Sequence, residues 1–347
     1  MSALVGISVV HGGEDVKSSI NRATLTLARQ YRALTRQELS LHLGYAASWV
    51  SKVELGQVGP TGPLVETYAT ALQVHPALFT HTIPAATPAT PRVYKGLTAF
   101  RQRHQLDALA AIAGHLIRTL EAPTTPLAGA GECDPVTLAA QHRAPWAAPS
   151  RPVTNLAGNL EAAGIYLVPW HQAPPMFAAA AYITTSAPVI IYNPARHANP
   201  TRFAVAQSYA HLLGVTDTKG AEAFASNLLA PYAAYRGQFR DALTGDVRPL
   251  RDLTDYWGLH PDVFTTTAYR VGDISESQKT KWNKAVHNQY NRILVDATPA
   301  PYPLYPTALK KALKAKQETL GEGIEETTGL LGAELANLTT AQQKVTK

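Results

Sequence analysis

Residues 34–56 read LTRQELSLHLGYAASWVSKVELG, and this stretch constrains the fold more than any other part of the chain. Thr35-Arg36-Gln37-Glu38 is a capping box, in which the Thr35 hydroxyl caps a helix start and Glu38 reaches back three residues later. Leu39 and Leu43 then share one helical face. Gly44 supplies the freedom needed for a tight turn into a second helix. In that second helix Val50 and Val53, three apart, point to a core. Ala47, Ser48, Trp49, Ser51 and Lys52 are left able to face outward. The flanking runs RATLTLARQYRAL, TGPLVETYATAL and HPALFT complete a five-helix pattern over residues 22–80.

Charge singles out the same block. The chain of 347 residues carries a net +6. Residues 21–103 hold nine Lys/Arg and three acids, so the excess sits here and the remainder is nearly neutral. A basic block on a neutral protein points to a polyanion partner.

The stretch at 34–56 resembles the XRE (lambda-repressor-like) helix-turn-helix family, whose pattern is L-T-x-x-E-L-A-x-x-L-G-x-x-x-S-x-[IV]-S-x-[IV]-E-x-G. The spacing agrees without a gap over 23 residues. In such domains the second helix of the motif enters the DNA major groove by its N-terminal end. The resemblance implies a DNA-facing set of Arg36, Gln37, Ala47, Ser48, Trp49, Ser51 and Lys52. Ala47, Ser48 and Lys52 would lie against bases or nearby phosphates, and Arg36 would hold a phosphate. The family often has glutamine where Arg36 stands, and some members have one where Ala47 stands. Alanine offers only apolar contact to a thymine methyl, so direct readout leans on Ser48, Trp49 and Lys52. Trp49 is open between a core, a dimer and a DNA role.

The expected fold class is mainly α with a small β-sheet (α+β). A flexible leader (1–20) precedes the helix-turn-helix domain (21–82), a Pro-rich linker (83–95), and a linking helix with its loop (96–135). Residues 136–170 read as helix, turn, helix, strand. MFAAAAYITT and APVIIYN read as two strands joined by a Ser-Ala-Pro turn. A helix starts near Asn199-Pro200, and a second covers AEAFASNLLA and stops at Pro231. Residues 236–297 form a helical lobe with three helices. Residues 298–347 are a Pro-rich link and a tail helix, Lys-rich and then Glu-rich. In that tail Leu331, Leu335 and Leu338 are spaced to pack on a partner chain or on their own domain. KKALKAK (310–316) reads as a phosphate contact or as a solvated helix face. Trp146 and Trp257 read as core anchors.

Residues 136–235 are similar to ImmA/IrrE-type metallopeptidase domains, which implies a zincin-like α+β fold. The family helix reads R-F-x-x-A-H-E-x-x-H. Its two histidines, one turn apart, hold zinc, and its glutamate takes a proton from the metal-bound water. Here the stretch is Arg202-Phe203-Ala204-Val205-Ala206-Gln207-Ser208-Tyr209-Ala210-His211. Gln207 stands for the first zinc histidine and Ser208 for the base, while His211 remains. AEAFASNLLAP resembles the helix carrying the third, acidic ligand, whose places fall on Gly220 and Asn227, with Glu222 close by. An amide oxygen is a poor zinc ligand, and without the base nothing activates water. The expectation is a pseudo-enzyme with no metal and no cofactor, its vestigial site being Gln207, Ser208, His211 and Glu222. His211 alone reads as a hydrogen-bonded core histidine and His197 as a surface residue.

The single cysteine, Cys133, cannot form an internal disulfide and excludes a four-cysteine metal cluster. It reads as a buried or neutral thiol in a reducing compartment. No apolar run reaches the ~18 residues of a membrane span, and no basic leader marks a signal peptide. A cytoplasmic protein is therefore expected. The first functional expectation is a sequence-specific DNA-binding regulator. It would be a repressor acting as a homodimer on a double-stranded operator, in a bacterial chromosome or as a temperate phage's immunity repressor. Its peptidase-like part would serve dimerisation, sensing or protein docking. The alternatives are a metallopeptidase with a non-standard site that cleaves a partner regulator, and a sensor binding a small-molecule effector in the emptied cleft.

Overall fold

The computed structural model describes residues 20–59, 62–90, 97, 99–127, 133–242, 248–290 and 300–341. The expected leader at 1–19, and positions 91–95 and 298–299 of the two Pro-rich links, lie outside the described residues.

Asn21 opens α1 (Arg22–Tyr31) by accepting from the Ala23 and Thr24 amides, as asparagine caps do. Helices α2 (Arg36–Leu43), α3 (Ala47–Glu54) and α4 (Gly62–Leu72) follow, then a 3-10 turn (Pro76–Thr80). Leu25, Ala28, Leu39, Val50, Val53, Tyr68, Leu72 and Phe79 close this bundle from inside. The chain continues through β1 (Thr87–Pro88), α5 (Phe100–Thr119), α6 (Pro135–Arg143) and α7 (Leu156–Ala162). The strands β2 (Tyr166–Pro169), β3 (Ala179–Ile183) and β4 (Pro188–Tyr192) lead into α8 (Ala198–Leu212) and α9 (Thr218–Leu229). Four further helices are α10 (Tyr232–Ala242), α11 (Arg248–Trp257), α12 (Pro261–Arg270) and α13 (Glu276–Tyr290). The C-terminal segment forms α14 (Ala308–Leu320), α15 (Ile324–Thr328) and α16 (Gly332–Thr339). The fold is thus mainly helical with one small sheet, and among the described residues no helix is long and apolar enough to cross a membrane.

The sheet has the order β1-β3-β4-β2. β2 runs parallel to β4, with Tyr166 opposite Val189, and β3 runs antiparallel to it. Successive strand residues point to opposite faces, and both faces here are buried. Tyr166, Val168, Ala180, Tyr182, Val189 and Ile191 join a core shared with the N-terminal bundle, α5 and the tail. Leu167, Ala181, Ile190 and Tyr192 join a second core built from α6 to α12. The sheet is therefore the wall between the two halves, with α5 packed on one side and α8 on the other. The Pro-rich stretch after the bundle does not hang free. Thr87 and Pro88 pair antiparallel with Ile183 and Tyr182, which anchors the stretch at the sheet edge.

The helix expected to stop at Pro231 does so, since α9 ends at Leu229. A further helix that was not expected, α10, begins at once after the proline. Tyr232, Tyr235 and Phe239 bury one face of it. The tail is not one helix. Gly321 (φ +58°) ends α14 and Gly329 (φ +71°) ends α15, both in the left-handed region that glycine tolerates. A Cβ at Gly329 would lie 2.5 Å from the Leu78 Cα, so glycine is also what lets the tail close on the 3-10 turn. Of the two packings left open for the tail leucines, the chain takes its own core: Leu335 and Leu338 are buried there. Leu331 is half-exposed at the α16 N-terminus. Glu334 fastens this segment to α1, accepting from the Tyr31 hydroxyl at 2.5 Å and from Arg32 Nη1 at 2.6 Å.

Candidate nucleic-acid interface

The capping box is formed in both directions. Thr35 Oγ1 accepts from the Glu38 amide at 3.1 Å, and Glu38 Oε2 accepts from the Thr35 amide at 2.7 Å. These bonds hold the Glu38 carboxyl below the usual carboxylate range. Gly44 takes the left-handed conformation (φ +70°) that turns the chain from α2 into α3. Val50 and Val53 are fully buried, which fixes the rotation of α3 about its axis. Ala46, Ser48 and Lys52 are consequently exposed, Ala47 and Ser51 half-exposed. Gln37 is exposed on the first turn of α2. Among the described residues no acid lies within ion-pair distance of Lys52.

Arg36, expected to hold a phosphate, is also paired within the domain. Its Nε donates to Glu54 Oε2 at 2.7 Å, while about half of its side chain remains exposed. Glu54 itself is buried, its side chain 1% exposed, and it also receives Arg29 Nε at 2.6 Å and Arg29 Nη2 at 3.0 Å. Arg29 Nη1 donates to the Leu34 carbonyl at 2.8 Å. One carboxylate thus ties α1, α2 and α3 together. The sequence holds no spacing rule for this contact, since Arg29 and Glu54 are far apart in the chain.

Trp49 is half-buried against the bundle core and tilted toward Tyr68 at 6.4 Å. Its outer face is covered by Tyr45, stacked at 4.2 Å and 16°. Tyr45 was not among the expected surface residues; it lies in the turn before α3, where no helical spacing applies. Arg22 is a second addition: it is exposed, and its guanidinium lies directly over Gly56, just past α3.

Gln207, Ser208 and His211 lie on α8 and Glu222 on the adjacent α9. Gln207 is half-buried and Ser208 buried on α8. His211 Nδ1 lies 2.6 Å from the Val215 carbonyl, and burial lowers the imidazole's pKa. Glu222, on α9, faces Arg270 Nη2 at 3.6 Å. Among the described residues no group of three or more His, Cys, Asp or Glu side chains is arranged to hold a metal ion. Between α6, α8 and α9 the space is filled by rings. Tyr209 bonds His142 Nδ1 at 2.7 Å, stacks on Trp146 at 5.7 Å and meets Phe224 edge-on at 5.6 Å. Trp146 is half-exposed, whereas Trp257 is fully buried. Arg202 is wholly buried and donates to the carbonyls of Val153 (2.5 Å) and Gly258 (3.2 Å), which makes it a tie between loops. His197 is exposed and caps α8 through Nδ1. In the tail, Lys314 pairs with Glu318 and Lys316 with Glu121.

A family model described as a helix-turn-helix domain matches residues 22–81, the segment that holds α1 to α4 and the 3-10 turn. The N-terminal part of the chain is therefore a helix-turn-helix domain, and such a domain marks DNA-binding regulation. Comparison with curated proteins and with solved structures gives no match.

Proposed function

We propose that the chain is a sequence-specific DNA-binding transcriptional regulator, a repressor that binds its operator as a homodimer, and that the part beyond residue 81 serves it without catalysis. The observation that carries the reading is the state of α3. Its inner face is locked by Val50, Val53 and the Glu54 ion pairs, while Ser48 and Lys52 stand exposed on the outside. A rigid helix with a bare, mildly basic outer face is what entry into the major groove requires. Two-fold operators mirror two-fold proteins, which favours the dimer.

The ImmA/IrrE-like residues support a non-catalytic role for the second half. Gln207 and Ser208 cannot replace an imidazole ligand and a general base. His211 and Glu222 would leave a metal only two ordinary ligands, and Arg270 Nη2 stands 3.6 Å from the Glu222 carboxylate. The sheet and tail join this half to the helix-turn-helix domain through a common core, a physical route by which docking or sensing there could bias DNA binding.

Footprinting of the full-length protein on DNA flanking its own gene tests the reading. The expected result is protection of symmetric or repeated sites, abolished in a Ser48→Ala, Lys52→Ala double variant whose circular dichroism is unchanged. Absence of protection at low salt, or protection retained by the double variant, overturns it.

A further inference from the structure

We propose that the tip of α3 reads bases through their 5-methyl groups, so that thymine positions, rather than hydrogen bonds to purines, set its preferred sites. The inference rests on the DNA-binding reading above and deepens it. Bidentate recognition of guanine needs Arg or Lys, and that of adenine needs Asn or Gln. The residues at the tip are Tyr45, Ala46, Ala47 and Ser48, none of which has such a fork. A serine hydroxyl donates or accepts and so discriminates weakly among bases. Lys52 lies a full turn further along α3, Arg36 is engaged by Glu54, and Gln37 stands on the helix that crosses the backbone.

What the tip does present is apolar and rigid. Ala46 is exposed and Ala47 half-exposed, and both offer methyl groups. Tyr45 is 47% exposed, and its ring lies flat on Trp49, which is itself braced against the bundle core. The result is an aromatic wall beside two methyls at the leading end of the helix. In unmodified DNA the thymine 5-methyl is the apolar group displayed in the major groove. A wall of this kind gains from burying that methyl and gains nothing from cytosine or from uracil in its place.

The test begins by selecting the preferred duplex of the full-length protein from a random pool. The same duplex is then remade with uracil in place of thymine. Loss of each buried methyl should weaken binding roughly fourfold, equivalent to about 0.8 kcal/mol, with the salt dependence unchanged because phosphate contacts are untouched. Tyr45→Ser should shrink the thymine-to-uracil ratio without altering the circular dichroism, since the Tyr45 ring covers Trp49 from the solvent side. Ala47→Gln should bring an adenine into the selected site. Equal affinity for the thymine and uracil duplexes overturns the methyl readout and leaves the DNA-binding reading standing. Failure to select any duplex overturns both.

Discussion

Replacing Glu54 by alanine removes one carboxylate from the junction of three helices, and its geometry sets the size of the loss. The Glu54 side chain is 1% exposed and Arg29 10%, with two bonds of 2.6 and 3.0 Å between them. Removing one member of a buried pair leaves the other charge uncompensated, at about 3–5 kcal/mol. Arg29 would keep only its bond to the Leu34 carbonyl among those described. Arg36 is 47% exposed on the same carboxylate, so its bond belongs with surface pairs at about 1 kcal/mol or less. Glu54→Ala should therefore cost several times what Arg36→Ala costs. Amide hydrogen exchange in α1 and α3 reads the loss locally, without averaging over the rest of the chain. Equal, small effects from the two variants would refute the assignment of Glu54 as a buried tie. A loss of this size is a large part of a domain's stability of about 5–15 kcal/mol.

Three further outcomes follow from other contacts. Glu334→Ala removes the acceptor of Tyr31 and Arg32, and should lower protection in α16 by about 2 kcal/mol, within the range for bonds to a charged group; unchanged exchange there would contradict the fastening. His115 is buried beside His81 (4.7 Å) and Arg118, with Nε2 on the Thr328 carbonyl, and burial pushes its pKa down to about 4. The unfolded chain binds this proton near 6.5, so the stability held by neutral His115 is complete above that pH. It falls by about 3 kcal/mol between pH 6.5 and 4, and His115→Phe should flatten urea midpoints across that window. Incubation of the purified protein with zinc followed by gel filtration should leave well under one equivalent bound, and stoichiometric zinc would revive the peptidase reading.

Local signals carried the N-terminal domain. The capping box, Gly44 and the buried valines are short-range features with fixed geometric consequences, and each is formed at the residues that announced it. The strands at 179–183 and 188–192 were legible for the same reason, as short apolar runs around a turn. What the sequence did not yield depends on distant partners. The anchoring of Thr87–Pro88 at a sheet edge, the Glu54 junction and the Tyr31–Glu334 contact all join residues with no common period. The tail looked like one helix because its composition is helical throughout, and two glycines with positive φ divide it. Helix α10 follows directly on the proline that ends α9, so no loop signal separates the two. In the candidate site, the outward placement of Ser48 and Lys52 follows from spacing, whereas the Arg36–Glu54 bond and the stacking of Tyr45 on Trp49 join residues that no spacing rule links.

Binding of DNA by the outer face of α3 through charge as well as shape makes the salt dependence of affinity the deciding observable. The most direct measurement is the affinity of the full-length protein for its selected duplex, titrated over salt and compared with Lys52→Ala. Affinity should fall linearly on logarithmic axes as salt rises, and the variant should show weaker binding with a slope smaller by about 1. An affinity indifferent to salt, or a slope unchanged when Lys52 is removed, would contradict the account.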